Sequence, residues 1–293
     1  MLPARIAALL EPFLGPPDDR RLTTNDIQQI STYIDLLLRW NARINLTAIR
    51  DPEQIVPRHF GESLFMARHL FPYDGGSEPA LETEPAPEGR SILAQPFSAG
   101  KQPPHEPSPV GTAHSEASTI AQAVPRVATD TNAADRSQLA TRGSKLLRVV
   151  DLGSGAGFPA LPIKIWAPQI HLTMIESNHK KAAFLREAAR ALTLTDIDVI
   201  AERAESVAAR IGEAPTKNPF QPAEVVTFRA VERFTQVLPI ATKFLAPNAR
   251  MAVLITKTQL AELQTQTSMT WTTIHVPKSH NGLLAIGYIK WHK

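Results

Sequence analysis

Cysteine is absent from the 293 residues. Its absence excludes disulfides, thiolate metal centres and cysteine nucleophiles, and a reduced cytoplasmic setting is expected. Long apolar runs are missing as well. No uncharged stretch approaches the roughly 20 residues of a membrane span, so no membrane association is expected. The opening segment Met1 to Leu14 has only short apolar runs broken by Arg5, Glu11 and Pro12, unlike a signal peptide. Neither sign of charge dominates: 31 Lys and Arg face 28 Asp and Glu, a net +3. That balance permits an RNA or phosphate partner without specifying one. There is no internal repeat.

Proline, by contrast, is plentiful at 25 residues, and it is unevenly spread. Between Asp74 and Ser144 there are nine prolines, a single aromatic (Phe97) and no sustained apolar period. Such a stretch buries too little apolar surface to offset its ordering entropy. Residues 73–145 are therefore expected to be a disordered Pro/Ala/Ser-rich insertion, a small folded module being the alternative. It separates an N-terminal unit, 1–72, from a larger one, 146–293.

The N-terminal unit reads as all-helical. Thr23 and Thr24 are N-cap candidates, followed by Ile27, Ile30, Ile34, Leu37, Leu38, Asn41 and Ile44 at near-helical spacing, with Asn41 the one polar member. A second helix is expected from about Pro52 to Leu70, bent or divided at Pro57. Beyond the insertion, strand patterns at 147–152, 171–175, 197–200, 225–228 and 251–255 alternate with helical ones, notably 180–192 and 235–245. This βαβ alternation predicts an α/β fold with a mostly parallel sheet. The close segments 271–276 and 283–290 read as an antiparallel pair at one edge.

The chemistry concentrates where the first strand, Leu146–Val150, runs into Asp151-Leu-Gly-Ser-Gly-Ala-Gly157, with Phe158, Pro159 and a helix behind it. Glycines let the backbone turn sharply and approach a ligand, and the helix start offers free N–H groups. A dinucleotide fingerprint would be G-x-G-x-x-G. Here the glycines stand at 153, 155 and 157, and an acidic residue precedes the first by two. This layout resembles motif I of Rossmann-like methyltransferases, although a nicotinamide site or an ordinary Gly-rich turn remains open on the loop alone. Glu176, at the tip of the second strand and 23 residues after Gly153, suits a cofactor's ribose hydroxyls, and that role serves either cofactor. Glu202 and Glu205 follow the third strand, where adenine is flanked in such folds. A helix-capping acidic cluster is the other reading of Glu202.

Several segments together resemble one family. They are Arg39-Trp40-Asn41, Asn45-Leu46-Thr47, Arg58-His59-Phe60-Gly61-Glu62-Ser63-Leu64, Asp151 to Pro159, Glu176-Ser177-Asn178-His179-Lys180-Lys181 and Arg229-Ala230-Val231. The chain is similar across about 22–72 and 146–290 to the ribosomal RNA small subunit methyltransferase G family, also called glucose-inhibited division protein B. The resemblance implies a Rossmann-like class I methyltransferase fold: a seven-stranded, mostly parallel sheet with one antiparallel strand, carrying an N-terminal helical cap. It implies transfer of the methyl group of S-adenosylmethionine to N7 of guanine 527 in 16S ribosomal RNA. Cofactor contacts would fall on Asp151, Gly153, Gly155, Phe158, Glu176, Ser177, Asn178, Ala204, Glu205 and Arg229. Arg229 and His59 would act at the reacting base, and Arg58, Lys180, Lys181 and Lys257 would meet RNA. No metal is called for, and the chain is expected to work as a monomer on the small ribosomal subunit.

Plainer roles compete for some of these residues. Arg229 would otherwise be a surface ion pair, and His59 a structural histidine joining the helical unit to the sheet. Lys180 and Lys181 open a helix, where the dipole disfavours cations, and this favours a phosphate contact over a neutral surface. Arg186 and Arg190 continue that helix as a basic stripe or a merely solvated face. The sequence also departs from the family pattern: Glu62-Ser63 stands for Asp-Ser, Lys257-Thr258 for Lys-Gly, and Asn281-Gly282-Leu283-Leu284 lacks an expected Arg. The insertion has no counterpart there. Other readings are a methyltransferase for another RNA site or a small molecule, and a nicotinamide-dependent dehydrogenase.

Overall fold

The computed structural model describes residues 1–15, 21–72, 146–211, 220–229 and 234–289. The expected insertion at 73–145 lies outside the described residues.

The chain opens with α1 (Pro3–Leu10) and a short 3₁₀ turn, Glu11–Phe13. Helix α2 (Thr24–Asn41) starts on a capping box: the Thr23 side chain accepts from Asp26 N, and the Asp26 carboxylate accepts from Thr23 N. These bonds satisfy two otherwise orphaned donors. Its buried stripe is Ile27, Ile30, Ile34 and Leu37, the spacing of one helix face. The polar member of the stripe has its own task. Asn41 Oδ1 accepts from Leu46 N and Thr47 N, and its Nδ2 donates to Thr47 O. One side chain thus folds the loop that follows.

The predicted second helix is divided, as Pro57 led one to expect. Helix α3 (Pro52–Ile55) passes into a π-helical stretch, Val56–Gly61, and then α4 (Glu62–Leu70). Proline has no N–H to keep the regular ladder in step, and π segments recur at functional sites.

The sheet comprises β1 (Arg148–Leu152), β2 (His171–Ile175), β3 (Ile197–Ile200), β4 (Ala223–Arg229), β5 (Leu245–Thr256), β6 (Met269–His275) and β7 (Gly282–Ile289). Their order is β3-β2-β1-β4-β5-β7-β6. Pairings from β3 through β5 are parallel, and β7 is antiparallel to both β5 and β6. Helices α5 (Ala160–Trp166), α6 (His179–Ala191), α7 (Ala204–Ala208), α8 (Phe234–Lys243) and α9 (Lys257–Gln266) complete the described elements. The expected α/β architecture, with one strand reversed, is what forms.

Strand β5 begins six residues before the predicted 251. Pro247 and Asn248 read as a break in the sequence. The ladder nevertheless resumes at Ala223↔Leu245, because Asn248 takes a left-handed φ of 60° and absorbs the register shift. On one face of the sheet, Leu172, Met174, Val225 and Ala252 share a continuous apolar core with the cap residues Ile30, Tyr33, Phe60 and Leu64. Val150, Val226, Phe228 and Met251 face a second core with Leu238 and Phe244. The chain runs β1 to β3 toward one edge and β4 onward toward the other. The carboxyl ends of β1 and β4 therefore flank the topological switch, where open α/β sheets bind ligands.

Candidate functional site

The glycine loop sits at that switch. Gly153 N and Ser154 N donate to Ile175 O, tucking the loop over the end of β2. Gly153, Gly155 and Gly157 all have positive φ, at 65°, 56° and 81°, which only glycine adopts cheaply. A Cβ added at Gly153 would meet nothing within 4 Å, so the backbone there faces open space. At Gly157 the same atom would strike the Tyr33 hydroxyl. That hydroxyl donates to Ala156 O, so the cap supports the loop directly.

Two carboxylates frame the loop. Asp151 is 1% exposed. Its Oδ1 accepts from Thr227 Oγ1 at 2.7 Å, while Oδ2 is buried without a partner. Burial, reinforced by the charge of Glu176, pushes the Asp151 pKa up to about 7 against the hydrogen bonding that favours its ionised form. Glu176 is buried too, its two oxygens accepting from Gly155 N and Asn178 N at 2.8 Å each. It therefore ties the loop to β2 while keeping unused lone pairs. Ser177 is exposed beside it. The Asn178 side chain caps α6 by accepting from Lys180 N and Lys181 N. Its expected cofactor role thus competes with a structural one. Ala204 and Glu205 open α7 beyond β3.

The cap segment around Arg58 and His59 converges on the same region. Phe158 stacks on Tyr33 (centroids 5.2 Å apart, 8° between planes) and on His59 (4.9 Å, 22°), with Phe60 edge-on. His59 Nε2 shares a 2.8 Å hydrogen bond with Thr47 Oγ1, and its Nδ1 is buried without a partner. Burial, then the charges of Arg229 and Arg58, hold its pKa down at about 3. The ring is therefore neutral near pH 7. It is locked between cap and loop, which fits the structural reading of His59 better than a proton donor to substrate.

Arg229, the last residue of β4, is no surface ion pair. Its side chain is 11% exposed; Nη2 donates to Arg58 O and to Glu62 Oε2, both at 2.7 Å. Its Nη1 is buried with no partner. Burial lowers its pKa, opposed by Glu62. Glu62, 9% exposed, also accepts from Arg58 Nη1 through Oε1 at 2.6 Å. One carboxylate thus holds two arginines and joins the cap to the sheet end. Sequence reasoning missed Glu62, Thr227 and Tyr33. The available signals were an Arg58–Glu62 spacing of four, a hydroxyl inside an apolar strand, and a tyrosine within an apolar helix stripe.

The other expected RNA contacts lie apart from this cluster. Lys180 and Lys257 are exposed at the starts of α6 and α9, with Lys181 half-buried. Arg186 is engaged locally, donating to Val199 O at 2.8 Å. Among the described residues no helix is long and apolar enough to cross a membrane.

A family model described as GidB, rRNA small subunit methyltransferase G, matches residues 26–74 and 131–284. The ribosomal RNA small subunit methyltransferase G of Chloroflexus aggregans is 30% identical over 236 residues, covering 78% of this chain and 66% of that protein. Its namesake from Roseiflexus castenholzii is 31% identical over 234 residues, covering 78% and 67%. That from Sorangium cellulosum is 39% identical over 115 residues, covering 39% and 44%. The chain spans about two thirds of the length of the first two.

Proposed function

This chain belongs to the rRNA small subunit methyltransferase G family, and from that premise we propose that it transfers the methyl group of S-adenosylmethionine to N7 of guanine 527 in 16S ribosomal RNA. The observation that carries the cofactor half is the loop itself. Three left-handed glycines leave open space above Gly153, between a buried carboxylate with a free oxygen and a second carboxylate at the next strand tip. These residues fit S-adenosylmethionine. Asp151 Oδ2 suits the ammonium of its amino-acid end, Glu176 the ribose hydroxyls, and the start of α7 the adenine edge. Arg229 Nη1, a buried donor without an acceptor, suits a carboxylate or the O6 of a bound guanine.

When bound, the cofactor supplies an electrophilic sulfonium methyl. Guanine N7 carries a lone pair and no proton, so no residue has to act as general base. The protein's part is to bind, align and exclude water, effects that supply roughly 7–11 kcal/mol in well-oriented reactions. Arg229 cannot donate to N7 without blocking the reacting lone pair. Its cation is useful only toward O6, phosphate or the cofactor. The neutral, stacked His59 contributes rigidity to Phe158 and hence to the loop.

The test is methyl transfer from labelled S-adenosylmethionine to small subunits and to naked 16S RNA, with the modified base mapped. Label on guanine N7 at a single position is expected. Label on an exocyclic amine or ribose hydroxyl would reject the N7 assignment, and no RNA label would reject the substrate.

A further inference from the structure

A cleft of about 400 Å³ lies between the cap and the β6–β7 loop, with Glu62 and Arg58 on one wall and Pro277 and Lys278 on the other, and no residue of the glycine loop in its lining. We infer that this cleft receives the flipped-out acceptor nucleotide, with Glu62 reading the guanine edge and Arg58 and Lys278 flanking its phosphates. The inference rests on the proposed RNA methylation and adds where the base sits and what selects it.

Four observations carry it. The first is place. Strand β6 pairs antiparallel with β7, which is antiparallel to β5, so the chain leaving β6 emerges at the carboxyl edge of the parallel strands. Glu62 and Arg58 line the cleft, and both bond to Arg229 at the tip of β4, next to the glycine loop's own strand. The second is shape and lining. Phe13, Pro57 and Pro277 give apolar walls, and the volume falls within the usual range for a small-molecule site. A base removed from its stack needs such walls and reads through its Watson–Crick edge.

The third is a lip held in a costly conformation. Lys278 adopts φ 59°, which lysine rarely takes. The surrounding loop enforces it: Val276 N donates to Gly282 O, Ser279 N to Val276 O, Gly282 N to Ser279 Oγ, and Lys257 N to Asn281 O. Strain over-determined in this way clusters at ligand clamps. The exposed ammonium is thus presented at the cleft on a rigid turn. The fourth is hydrogen-bond chemistry. Guanine offers adjacent N1–H and N2–H donors, and a carboxylate is their acceptor. Adenine offers an acceptor at N1 instead. Glu62 spends one lone pair per oxygen on the two arginines and keeps the others. The remaining acid of the cleft, Glu53, is already paired with Arg5, so it does not oppose phosphate.

The experiment uses the full chain saturated with S-adenosylhomocysteine. Calorimetric titration with GMP and AMP should show GMP bound at least roughly tenfold tighter, the discrimination typical of one bidentate contact. Glu62→Gln should remove that preference. Because Glu62→Gln also weakens the cap-to-sheet link, Gln54→Trp provides an independent arm. Gln54 is an exposed lining residue, and an indole there fills the cleft. This variant should lower kcat/KM for 16S RNA by about a hundredfold while leaving the Kd for S-adenosylhomocysteine within twofold. Equal GMP and AMP affinity, no GMP binding at millimolar concentration, or an unimpaired Gln54→Trp variant would each overturn the inference. If the wild-type protein binds S-adenosylhomocysteine but methylates no RNA, the proposed substrate fails instead, and the GMP-to-AMP ratio still decides the cleft.

Discussion

At Asp151 the strand residue with the strongest chemistry is also almost fully removed from water. Its pKa of about 7 lies above the ordinary carboxylate value, so in the free protein it holds a proton at mildly acid pH. A cofactor ammonium at Oδ2 favours the ionised form. Binding should therefore tighten as pH rises toward 7, by roughly an order of magnitude between pH 6 and 7.5 if ionisation is required for full contact. Calorimetry with S-adenosylhomocysteine across that range checks this, and Asp151→Asn should bind more weakly with the pH slope gone; an unchanged slope in the variant would remove Asp151 from the contact. His59 makes a different statement, about folding. Its folded pKa, about 3, lies below the unfolded value of about 6.5. The unfolded chain binds the extra proton between those values, so stability falls as pH drops from 6.5 toward 3. The slope for one proton is at most about 1.4 kcal/mol per pH unit. His59→Gln should flatten that acid limb in urea titrations while lowering stability at neutral pH, where the stack on Phe158 is lost. At this scale the placement of Asp151, the glycines and Glu176 was legible because loop chemistry is local in sequence, and the bridging alternative for His59 was legible as well. The stack of Phe158 and the two-arginine clasp of Glu62 were not, because each depends on partners from the other side of the insertion.

Elements show the same division between local and distant causes. The helix stripe of α2, its Thr23 cap and the proline-divided α3–α4 segment all follow from spacing and cap chemistry. What spacing does not reveal is the π-helical stretch between α3 and α4, which brings the main-chain oxygen of Arg58 to Arg229 and the ring of His59 to Phe158. Its last residue, Gly61, carries the packing consequence. An added Cβ would lie 2.6 Å from two atoms of the Phe13 ring, itself buried. Alanine has the better helix propensity by up to about 1 kcal/mol, yet a rigid ring with nowhere to go makes overpacking the larger effect, at about 1–3 kcal/mol. Gly61→Ala should therefore unfold at lower urea with an unchanged m-value. A stabilised variant would mean that Phe13 gives way. The late start assigned to β5 has a similar origin. Pro247 and Asn248 look like a terminus in sequence, whereas cross-strand pairing with Ala223 carries the strand past them.

For the molecule as a whole, the net charge of +3 is too small to carry the proposed RNA contact, so placement has to. Lys180 follows β2, Arg58 is bonded to the end of β4, Lys257 follows β5 and Lys278 follows β6. Each sits where a parallel-running strand delivers its carboxyl end, so the fold gathers cations from distant sequence positions along one edge, the edge that holds the glycine loop. Charge contacts to phosphate release counterions, and log K then falls with log salt by about 0.7 to 0.9 per phosphate neutralised. Lys180 and Lys181 stand at the start of α6, where the helix dipole disfavours cations and Asn178 already caps the backbone. A phosphate is the partner that makes such a position favourable. Replacing both with Ala should weaken binding of a 16S RNA fragment and make the salt slope shallower by about 1.5. Affinity for S-adenosylhomocysteine should stay within twofold, since neither lysine side chain frames the loop. RNA affinities measured between 50 and 300 mM salt supply the slopes. An unchanged slope would mean that RNA approaches the edge through Arg58, Lys257 and Lys278 alone, with the α6 end outside the interface.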